Sequence, residues 1–467
     1  MSNLREIRDP IHGFIHRSEL EQAIMDTPAM QRLRGIRQLA LANLVYPGAL
    51  HTRLEHCLGV MHIAGKLAEQ LIKDGETCEL LRLAGLLHDL GHGPFSHVSE
   101  AILEEFQVVK AEGPGKKDIH EYITMGIIEN CEEIRKILGE PKRERILGYL
   151  RGTSGEGIER AIISGPLDAD KQDYLLRDSY FCGVKYGVFD SDRLISTLEA
   201  WPDKHERQLA ASADGVYAIE QFVIAKYHMS TQVYRHKIRL ITDSMITRAL
   251  ELGITVDKLP WLIKLYEYDS TRAYLDEYLK WDDARLATAL VCPLEQEGQA
   301  TELFRRLRER RLFKVVFRKP LLDFPDPNVR DTLADLRKLP KLRLQIESEI
   351  AEYFSSNRGV KIPNHHVIVN QFTIKSVREQ SRNNEGSIII LTGDGPKKFE
   401  EESTLFRSID EKQNIASIEV YAPVAIKDPV EKRKVLAEFS VSLQSIITKL
   451  ASQEAQKEMG KGATDEG

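Results

Sequence analysis

The chain is predicted to be mainly α, with a helical lobe over about residues 1–300 and a smaller α+β lobe over 301–451; three features of the sequence carry that expectation. Apolar residues recur at steps of three and four through most of 18–290, the spacing of helices that bury one stripe. Beyond about residue 300 this texture gives way to short β-branched runs between turn formers. A length of 467 residues also exceeds what one hydrophobic core usually serves, so two lobes are expected.

Taken in order, segment 57–72 (CLGVMHIAGKLAEQLI) sets Leu58, Met61, Ala64, Leu67, Ala68 and Leu71 on one helical face. Segment 79–90 (ELLRLAGLLHDL) repeats the pattern and then meets Gly91 and Gly93-Pro94, which stop a helix. A third helix is expected to carry His97 and Glu100 onward to Phe106. The stretch 110–118 (KAEGPGKKD) is polar and Gly/Pro-punctuated and reads as an exposed loop. Helical patterns resume around 120–138, 168–180 and 217–252. In the second lobe, 365–374 (HHVIVNQFTI), 386–393 (GSIIILTG) and 416–423 (ASIEVYAP) read as strands, with helical patterns around them at 331–356 and 429–451. The tail, 452–467, is polar and is expected to be flexible.

Composition narrows the functional classes. The chain is 42% hydrophobic and 29% charged with a net charge of -6, so no global basic excess advertises nucleic acid or an anionic membrane. Any polyanion must be bound locally. The N-terminal MSNLREIRDP lacks the apolar region of a signal peptide, and the longest apolar runs are far too short to span a bilayer. Five scattered cysteines form no CxxC pair and leave one over, which fits a reducing, cytoplasmic location and argues against a Cys-based zinc site.

The chemistry concentrates around His88-Asp89, at the end of an apolar helical segment. Neighbours on a helix point about 100° apart, so both can reach one ion only where the helix ends and the backbone opens. Gly91 and Gly93 supply that opening. A carboxylate in an apolar segment is costly unless paired or metal-bound, and at a helix C-terminus the macrodipole disfavours it further. An isolated pair would read as a core histidine beside a capping aspartate, but this one is surrounded. His92 and His97 follow within ten residues; His56 stands upstream after Arg53 and Glu55. Asp168-Ala169-Asp170-Lys171 lies downstream, with Tyr174 and Asp178 at helical steps. Two histidines and two carboxylates form a mixed N/O donor set that suits Mn, Fe, Zn, Ni or Co better than Ca.

An H…HD…D order centred on HDLGHGPFSH (88–97) resembles the signature of HD-domain phosphohydrolases. DPIHG (9–13), DTPAMQRLRGIRQL (26–39), YPGALHTRLEHCLGV (46–60), DADKQDYLLRD (168–178) and YRHK (234–237) occur in the order found in the SAM-and-HD-domain deoxynucleoside triphosphate triphosphohydrolases. The resemblance is strong over about 4–240, fainter near 305–320 and weak in the last third. The chain opens directly on the HD core, so no SAM domain is expected. The resemblance implies that His56, His88, Asp89 and Asp170 hold a divalent ion, with Mn, Fe, Mg, Zn, Ni and Co all open. It implies that His92, His97 and the pair His120-Glu121 line the scissile phosphate, with Glu100 supporting His97 one helical turn on. Arg53, Lys171, Tyr174 and Lys226 fall at phosphate-contacting positions, Lys226 standing where the family has an arginine. Gln38 and Asp178 match groups that bond a sugar 3'-hydroxyl, and Leu39 with Tyr174 resembles the wall that excludes a 2'-hydroxyl. Tyr234, in YRHK, belongs to the same substrate set.

The expected reaction is dNTP plus water to deoxynucleoside and inorganic triphosphate, with His97 as general acid and Glu100 keeping it charged. Weaker matches imply regulation by GTP or a dNTP: Asp26, Gln31 and Arg34 at positions that recognise an activating guanine nucleotide, Arg193, Arg310 and Lys314 at positions that touch regulatory phosphates, and Val45-Tyr46 at a second regulatory pocket. Their plain reading is a solvated or inter-subunit helix face for QRLR and a basic surface for 305–319. Arg5, Glu6, Arg8 and Ser230-Thr231-Gln232 depart from the family beside those pockets, and Ala40-Leu41-Ala42 replaces a glycine-rich stretch. His12 and His51 are read as loop-holding and His62 as structural. His365-His366 are read as lacking partners, so no second metal site is expected. A homo-oligomer, dimer or tetramer, is expected from the resemblance. Two alternatives remain: an HD phosphohydrolase for another ester, such as a nucleoside monophosphate or cyclic dinucleotide, or a nucleotide- or single-strand-binding protein using 305–319.

Overall fold

Buried apolar side chains form two clusters in the computed structural model, which describes residues 5–107, 118–202, 206–292, 297–358, 361–374, 382–383, 386–408, 415–424 and 428–462. The chain opens on a hairpin, β1 (Arg5–Asp9) and β2 (Gly13–Arg17), followed by short helices α1 (Glu19–Met25) and α2 (Pro28–Arg32). The first core is then built by α3 (Arg53–Leu71), α4 (Gly75–Leu87), α5 (His97–Phe106), α6 (Ile119–Asn130), α7 (Glu132–Arg151), α8 (Gly157–Ser164), α9 (Ala169–Cys182) and α10 (Ser191–Ser196). A second hairpin, β3 (Leu198–Pro202) and β4 (Arg207–Ser212), precedes α11 (Val216–His228), and a π-helical turn, Met229–Tyr234, leads into α12 (Lys237–Thr255). The lobe closes with α13 (Pro260–Tyr266), α14 (Arg272–Tyr278), α15 (Asp283–Val291) and α16 (Gln299–Arg308).

Thr52 and Glu55 start α3 as a reciprocal capping box, satisfying two amides that the first turn leaves open. The predicted stripe Leu58, Met61, Ala64, Leu67, Ala68 and Leu71 is buried along its whole length. Full burial of each large apolar side chain contributes about 1.5–3 kcal/mol, which binds α3 against α4 and α9 far more strongly than helix propensity could.

The second lobe is a sheet under helices. Its elements are β5 (Lys314–Pro320), α17 (Pro327–Ala334), α18 (Pro340–Arg358) and β6 (Ile368–Ile374), then a two-residue pairing of β7 (Arg382–Asn383) with β8 (Gly386–Ser387). The chain then returns to the first lobe with β9 (Ile389–Thr392), β10 (Gly395–Lys398), α19 (Phe399–Glu402) and α20 (Thr404–Ser408), before β11 (Ile415–Ala422) and α21 (Pro429–Gly462) complete the second. The antiparallel sheet β5-β11-β6 packs against α17, α18 and α21 through the second core, which includes Phe324, Phe354 and Phe439. Among the described residues no helix is long and apolar enough to cross a membrane.

The architecture is mainly α, and the structure corrects the sequence reading in four places. Strands β3 and β4 interrupt a stretch expected to be helical; β9 pairs parallel with β4 some 180 residues later in sequence. For that reason 386–393 serves the first lobe, since Ile388, Ile390, Phe399 and Phe406 join the first core. Helix α16 also belongs there through Leu303, Phe304 and Leu307, so a division at residue 300 cuts through the first core. Finally, α21 runs on to Gly462 and buries Ala455, where the tail was expected to be flexible from 452. Of the expected loop 110–118, residues 110–117 lie outside the described residues, and Asp118 is the N-cap of α6.

Candidate metal centre and active site

Four helix ends meet at one point. The cap of α3 places Arg53 and His56 on its first turn, and α4 ends at Leu87 so that His88 and Asp89 fall where the backbone leaves the helix. That turn is pressed against α6: a Cβ on Gly91 would lie 2.2 Å from the His120 carbonyl oxygen and 2.4 Å from the Thr124 nitrogen, so only glycine fits. Thr124 Oγ1 accepts from the Gly91 N–H at 2.8 Å and donates to the His88 carbonyl at 3.1 Å. Asp168 N-caps α9 and presents Asp170 in its first turn.

The expected ligands converge. His56 Nε2 lies 3.0 Å from Asp170 Oδ1 and 3.6 Å from Asp89 Oδ2; His88 Nε2 lies 3.2 Å from Asp89 Oδ1 and 3.8 Å from Asp170 Oδ1. Both Nε2 atoms are shielded from solvent and make no well-formed hydrogen bond. Their other nitrogens are committed: His56 Nδ1 donates to Asp173 Oδ2 at 2.8 Å and His88 Nδ1 to the Gly85 carbonyl at 2.8 Å. Fixing Nδ1 as the donor leaves the Nε2 lone pair aimed inward, the arrangement of a metal-ligating histidine. Burial pushes the His56 pKa down, yet Asp170 and Asp173 outweigh it and lift it to about 10. The same carboxylate field suits a divalent cation, and the donor set fits one of the borderline first-row type.

Beside this set stands a cluster of three histidines around one carboxylate. His97 Nδ1 donates to Glu100 Oε2 at 2.9 Å, while His92 Nδ1 and His120 Nδ1 lie 2.8 and 2.9 Å from Oε1. His92 and His120 stack at 3.9 Å and are buried, whereas His97 is 57% exposed. Burial works to raise the Glu100 pKa, but His97, His120 and His92 outweigh it and hold the carboxylate ionised. Burial, with Arg53 and His120, pushes His92 down to about 4, so it stands neutral; Glu100 overcomes burial at His120 and lifts it. The approach to His97 is held in an unfavourable backbone: Phe95 and Ser96 have φ of 63° and 52°. Such conformations cost on the order of 1–3 kcal/mol each and survive only where surroundings enforce them. Here Asp283 Oδ1 accepts the Phe95 N–H at 2.7 Å, Arg53 Nε donates to Ser96 Oγ at 2.9 Å, and Ser96 Oγ donates to the Arg37 carbonyl at 2.8 Å.

A cleft of about 710 Å³ joins the two groups, within the usual size of a small-molecule site. His88, Asp89, His92, His97, His120, Glu121, Asp170, Arg53, Lys171, Gln38 and Tyr174 all line it. Arg53 Nη1 bonds Asp89 Oδ2 at 2.5 Å and its Nη2 is buried without a well-formed partner. Lys171 bonds Asp168 and the Gly165 carbonyl, and Glu121 caps α6 through the Asp118 N–H at 2.8 Å. Leu39, Asp178, Tyr234 and Lys226 do not line the cleft. Asp178 is buried and engaged by His51 Nε2 and the Tyr234 hydroxyl, both at 2.7 Å, and Tyr234 meets the face of Tyr174 edge-on at 6.1 Å. Leu39 is buried.

Of the regulatory positions, Gln31 bonds the Met25 carbonyl and accepts from Arg34, and Asp26 accepts from Gln22. Arg310 donates to the Leu44 carbonyl at 3.2 Å, beside Val45 and Tyr46, and Lys314 begins β5. Arg193 instead reaches the Asp214 carbonyl. His12 Nε2 donates to Asp173 Oδ1 at 2.7 Å. His62 lies 5.2 Å from His12, and burial with the nearby His12, Lys66 and Arg82 pushes its pKa to about 4. Between pH 6.5 and 4 the unfolded chain therefore takes up a proton there that the folded chain does not, and stability falls with pH across that window. His62→Gln is expected to shrink the drop in melting temperature between pH 7 and 4.5; an undiminished drop would contradict this. The view that His365 and His366 lack partners is corrected: Glu302 on α16 faces both.

Residues 53–172 match the HD domain model and 189–447 match that of the HD associated region, the latter alone spanning over half of the chain. The chain belongs to the HD phosphohydrolase family. Its relatives include an uncharacterized protein of Methanocaldococcus jannaschii, MJ1154, 29% identical over 95% of this chain and 86% of that one. The human deoxynucleoside triphosphate triphosphohydrolase SAMHD1 is 27% identical over 73% of this chain and 59% of its own length. The crystal structure of a phosphohydrolase from Bacteroides thetaiotaomicron superposes with a TM-score of 0.70 at 24% identity, covering 90% of this chain and all of that one, and shows the shared fold. HD domains bind divalent metals, and among the described residues His56, His88 and Asp89 form a group that could hold one, with Asp170 Oδ1 3.0 Å from His56 Nε2.

Sequence reasoning missed Asp173 in this HD protein. It is fully buried and binds His12, His56 and Arg177, and Arg177 is shared with Asp9 at 2.9 Å. A Cβ on Gly59 would fall 1.8 Å from Asp173 Oδ1, so α3 must carry glycine where α9 crosses it. The Asp173–Arg177 spacing of four was the available signal.

Proposed function

We propose that this HD phosphohydrolase converts dNTPs to deoxynucleosides and inorganic triphosphate. The observation that carries the reading is His97: exposed, oriented by Glu100 at 2.9 Å, and sharing one cleft with His88, Asp89 and Asp170. Water attacks the α-phosphorus and releases a proton to solvent, the bond to the 5'-oxygen breaks, and His97 Nε2 gives that oxygen a proton that solvent then restores, while Glu100 holds the ring through Nδ1. A divalent cation held by His56, His88, Asp89 and Asp170 would supply Lewis acidity to the phosphoryl group and to water. The free Nη2 of Arg53 offers a donor to a phosphate oxygen in a water-poor wall, where such donors are worth most. Lys171 adds positive charge along the cleft, His92 and His120 flank the phosphate, and Glu121 fixes the start of α6 beneath them.

The deoxy preference is read from Gln38 and Tyr174 on the cleft wall, with Leu39, Asp178 and Tyr234 acting from behind it and Lys226 reaching phosphate from outside. Similarity to the human dNTP triphosphohydrolase supports this substrate class. The Arg310 contact beside Val45 and Tyr46 supports a nucleotide effector, GTP or a dNTP, bound between copies of a homo-oligomer; Asp26, Gln31, Arg34, Lys314 and Arg193 belong to the same proposal. The basic run at 305–319 offers less to a nucleic acid, because Arg305, Arg311 and Arg318 pair with Glu297, Glu309 and Glu419.

The test is a panel of four dNTPs and four NTPs with Mn, Mg and Co, each with and without GTP or a dNTP effector. Triphosphate release from dNTPs, with NTPs slower, is expected. Orthophosphate as the first product, or turnover only of a monophosphate or cyclic dinucleotide, would select the other phosphohydrolase reading.

A further inference from the structure

One more group of ligand-type side chains converges far from the cleft in sequence. Glu302 sits one turn into α16, whose N-terminal amides at Gln299 and Ala300 are held by Asp257 at 3.1 and 2.9 Å. It faces the short turn Asn364–His366 that leads into β6. His366 Nε2 lies 3.0 Å from Glu302 Oε1 and His365 Nε2 lies 3.5 Å from Oε2; the carboxylate oxygen and both nitrogens fit within 4.8 Å of one another. The rings are 4.5 Å apart and inclined at 74°, so their Nε2 atoms aim at a shared point rather than stack.

Neither nitrogen makes a well-formed hydrogen bond, although both are shielded from solvent, and His366 is only 5% exposed. Neutral imidazoles keep their lone pairs. Tetrahedral coordination at the usual zinc distances places ligand atoms about 3.3–3.5 Å apart, close to the separations seen. Glu302 is 47% exposed, which leaves the fourth direction open to water. Phe313 stands 5.5 Å from the His366 ring and fixes its setting. Nearby, Arg248 pairs with Glu347 at 2.6 Å, and Arg306 lies over the Phe313 ring with its Nε buried and unbonded.

We propose that Glu302, His365 and His366 bind a divalent transition-metal ion of the zinc class that ties α16 to the second lobe. Two imidazoles and one carboxylate favour such an ion over Ca or Mg. The tie has structural consequence because α16 buries Leu303, Phe304 and Leu307 in the first core while Val367, next to His366, enters the second.

The test uses the full chain carrying His88→Ala, Asp89→Ala, His92→Ala and His97→Ala, which disables both ligand-type clusters of the cleft. After chelation, reloading with zinc and gel filtration, elemental analysis should find one zinc per chain. Adding Glu302→Gln and His365→Ala should take this to zero without loss of the far-UV circular dichroism. X-ray absorption of the cleft-disabled protein, which needs no second variant, should show two imidazoles on the ion. No zinc in the cleft-disabled protein, zinc that persists once Glu302→Gln and His365→Ala are added to it, or an imidazole-poor spectrum would each overturn the proposal.

Discussion

His97→Ala is expected to lower kcat by about 10²–10⁴-fold, the usual contribution of a positioned general acid, while leaving metal content and melting temperature unchanged. The separation of effects follows from where the ring sits. His97 is 57% exposed at the first position of α5, and its described ring contacts are with His92 and His120 of the same cluster, outside the apolar core. Its one described hydrogen bond is to Glu100, whose other oxygen still faces His92 and His120. The loss should therefore fall on kcat more than on KM, because the proton is needed only as the 5'-oxygen departs. Glu100→Gln should give a smaller loss, since the amide oxygen can still accept from His97 Nδ1 and hold the ring in place. Substrates with a far more acidic leaving group should recover much of the lost rate in His97→Ala. Near-wild-type turnover of a dNTP by His97→Ala would remove this histidine from the mechanism.

How much of this was legible in the sequence depends on the range over which each feature is determined. Helix α3 could be read locally, because its buried stripe and the glycines after the next helix are all written within thirty-five residues. The ligand types at 56, 88, 89 and 170 were likewise visible, and the structure brings these side chains together, with His92, His97, Glu100 and His120 alongside. Strands β3 and β4 were not legible, because Ala210 and Ala211 become core only once β9 pairs with them from across the sequence. Glu302 escaped notice for the same reason: its partners at 365 and 366 are supplied by another lobe. Asp178 shows a subtler limit. Its type suggested a hydroxyl acceptor, yet the fold spends its two oxygens on His51 and Tyr234, so its influence on substrate passes through the tyrosine. Residue type was readable; the competition for it was not.

Asp173 is where that competition is most severe, and replacing it should have the largest effect on stability and on metal affinity together. Its carboxylate accepts from His12 and His56 and from Nε and Nη2 of Arg177, all within 2.7–2.9 Å and out of contact with solvent. Asp173→Ala would leave a buried guanidinium with Asp9 alone, a break that typically costs about 3–5 kcal/mol. It would also free His56 Nδ1, and loss of such a partner usually weakens metal binding about 10–100-fold. Asp173→Asn keeps the volume but turns an amide NH2 toward groups that are already donors, so it should recover little. The pH dependence has a defined sign. Burial alone would raise this pKa, but Arg177, His12 and His56 outweigh burial and hold it well below the carboxylate range. The stabilisation is therefore complete above the ordinary aspartate value and declines only as acid protonates the unfolded chain below it. Denaturant melts of wild type and Asp173→Asn should differ most between about pH 6, where the lifted His56 contributes in full, and about pH 4, and converge below that. Equal stability at pH 7, with unchanged affinity in a metal competition assay, would show that His56 is oriented by something other than Asp173.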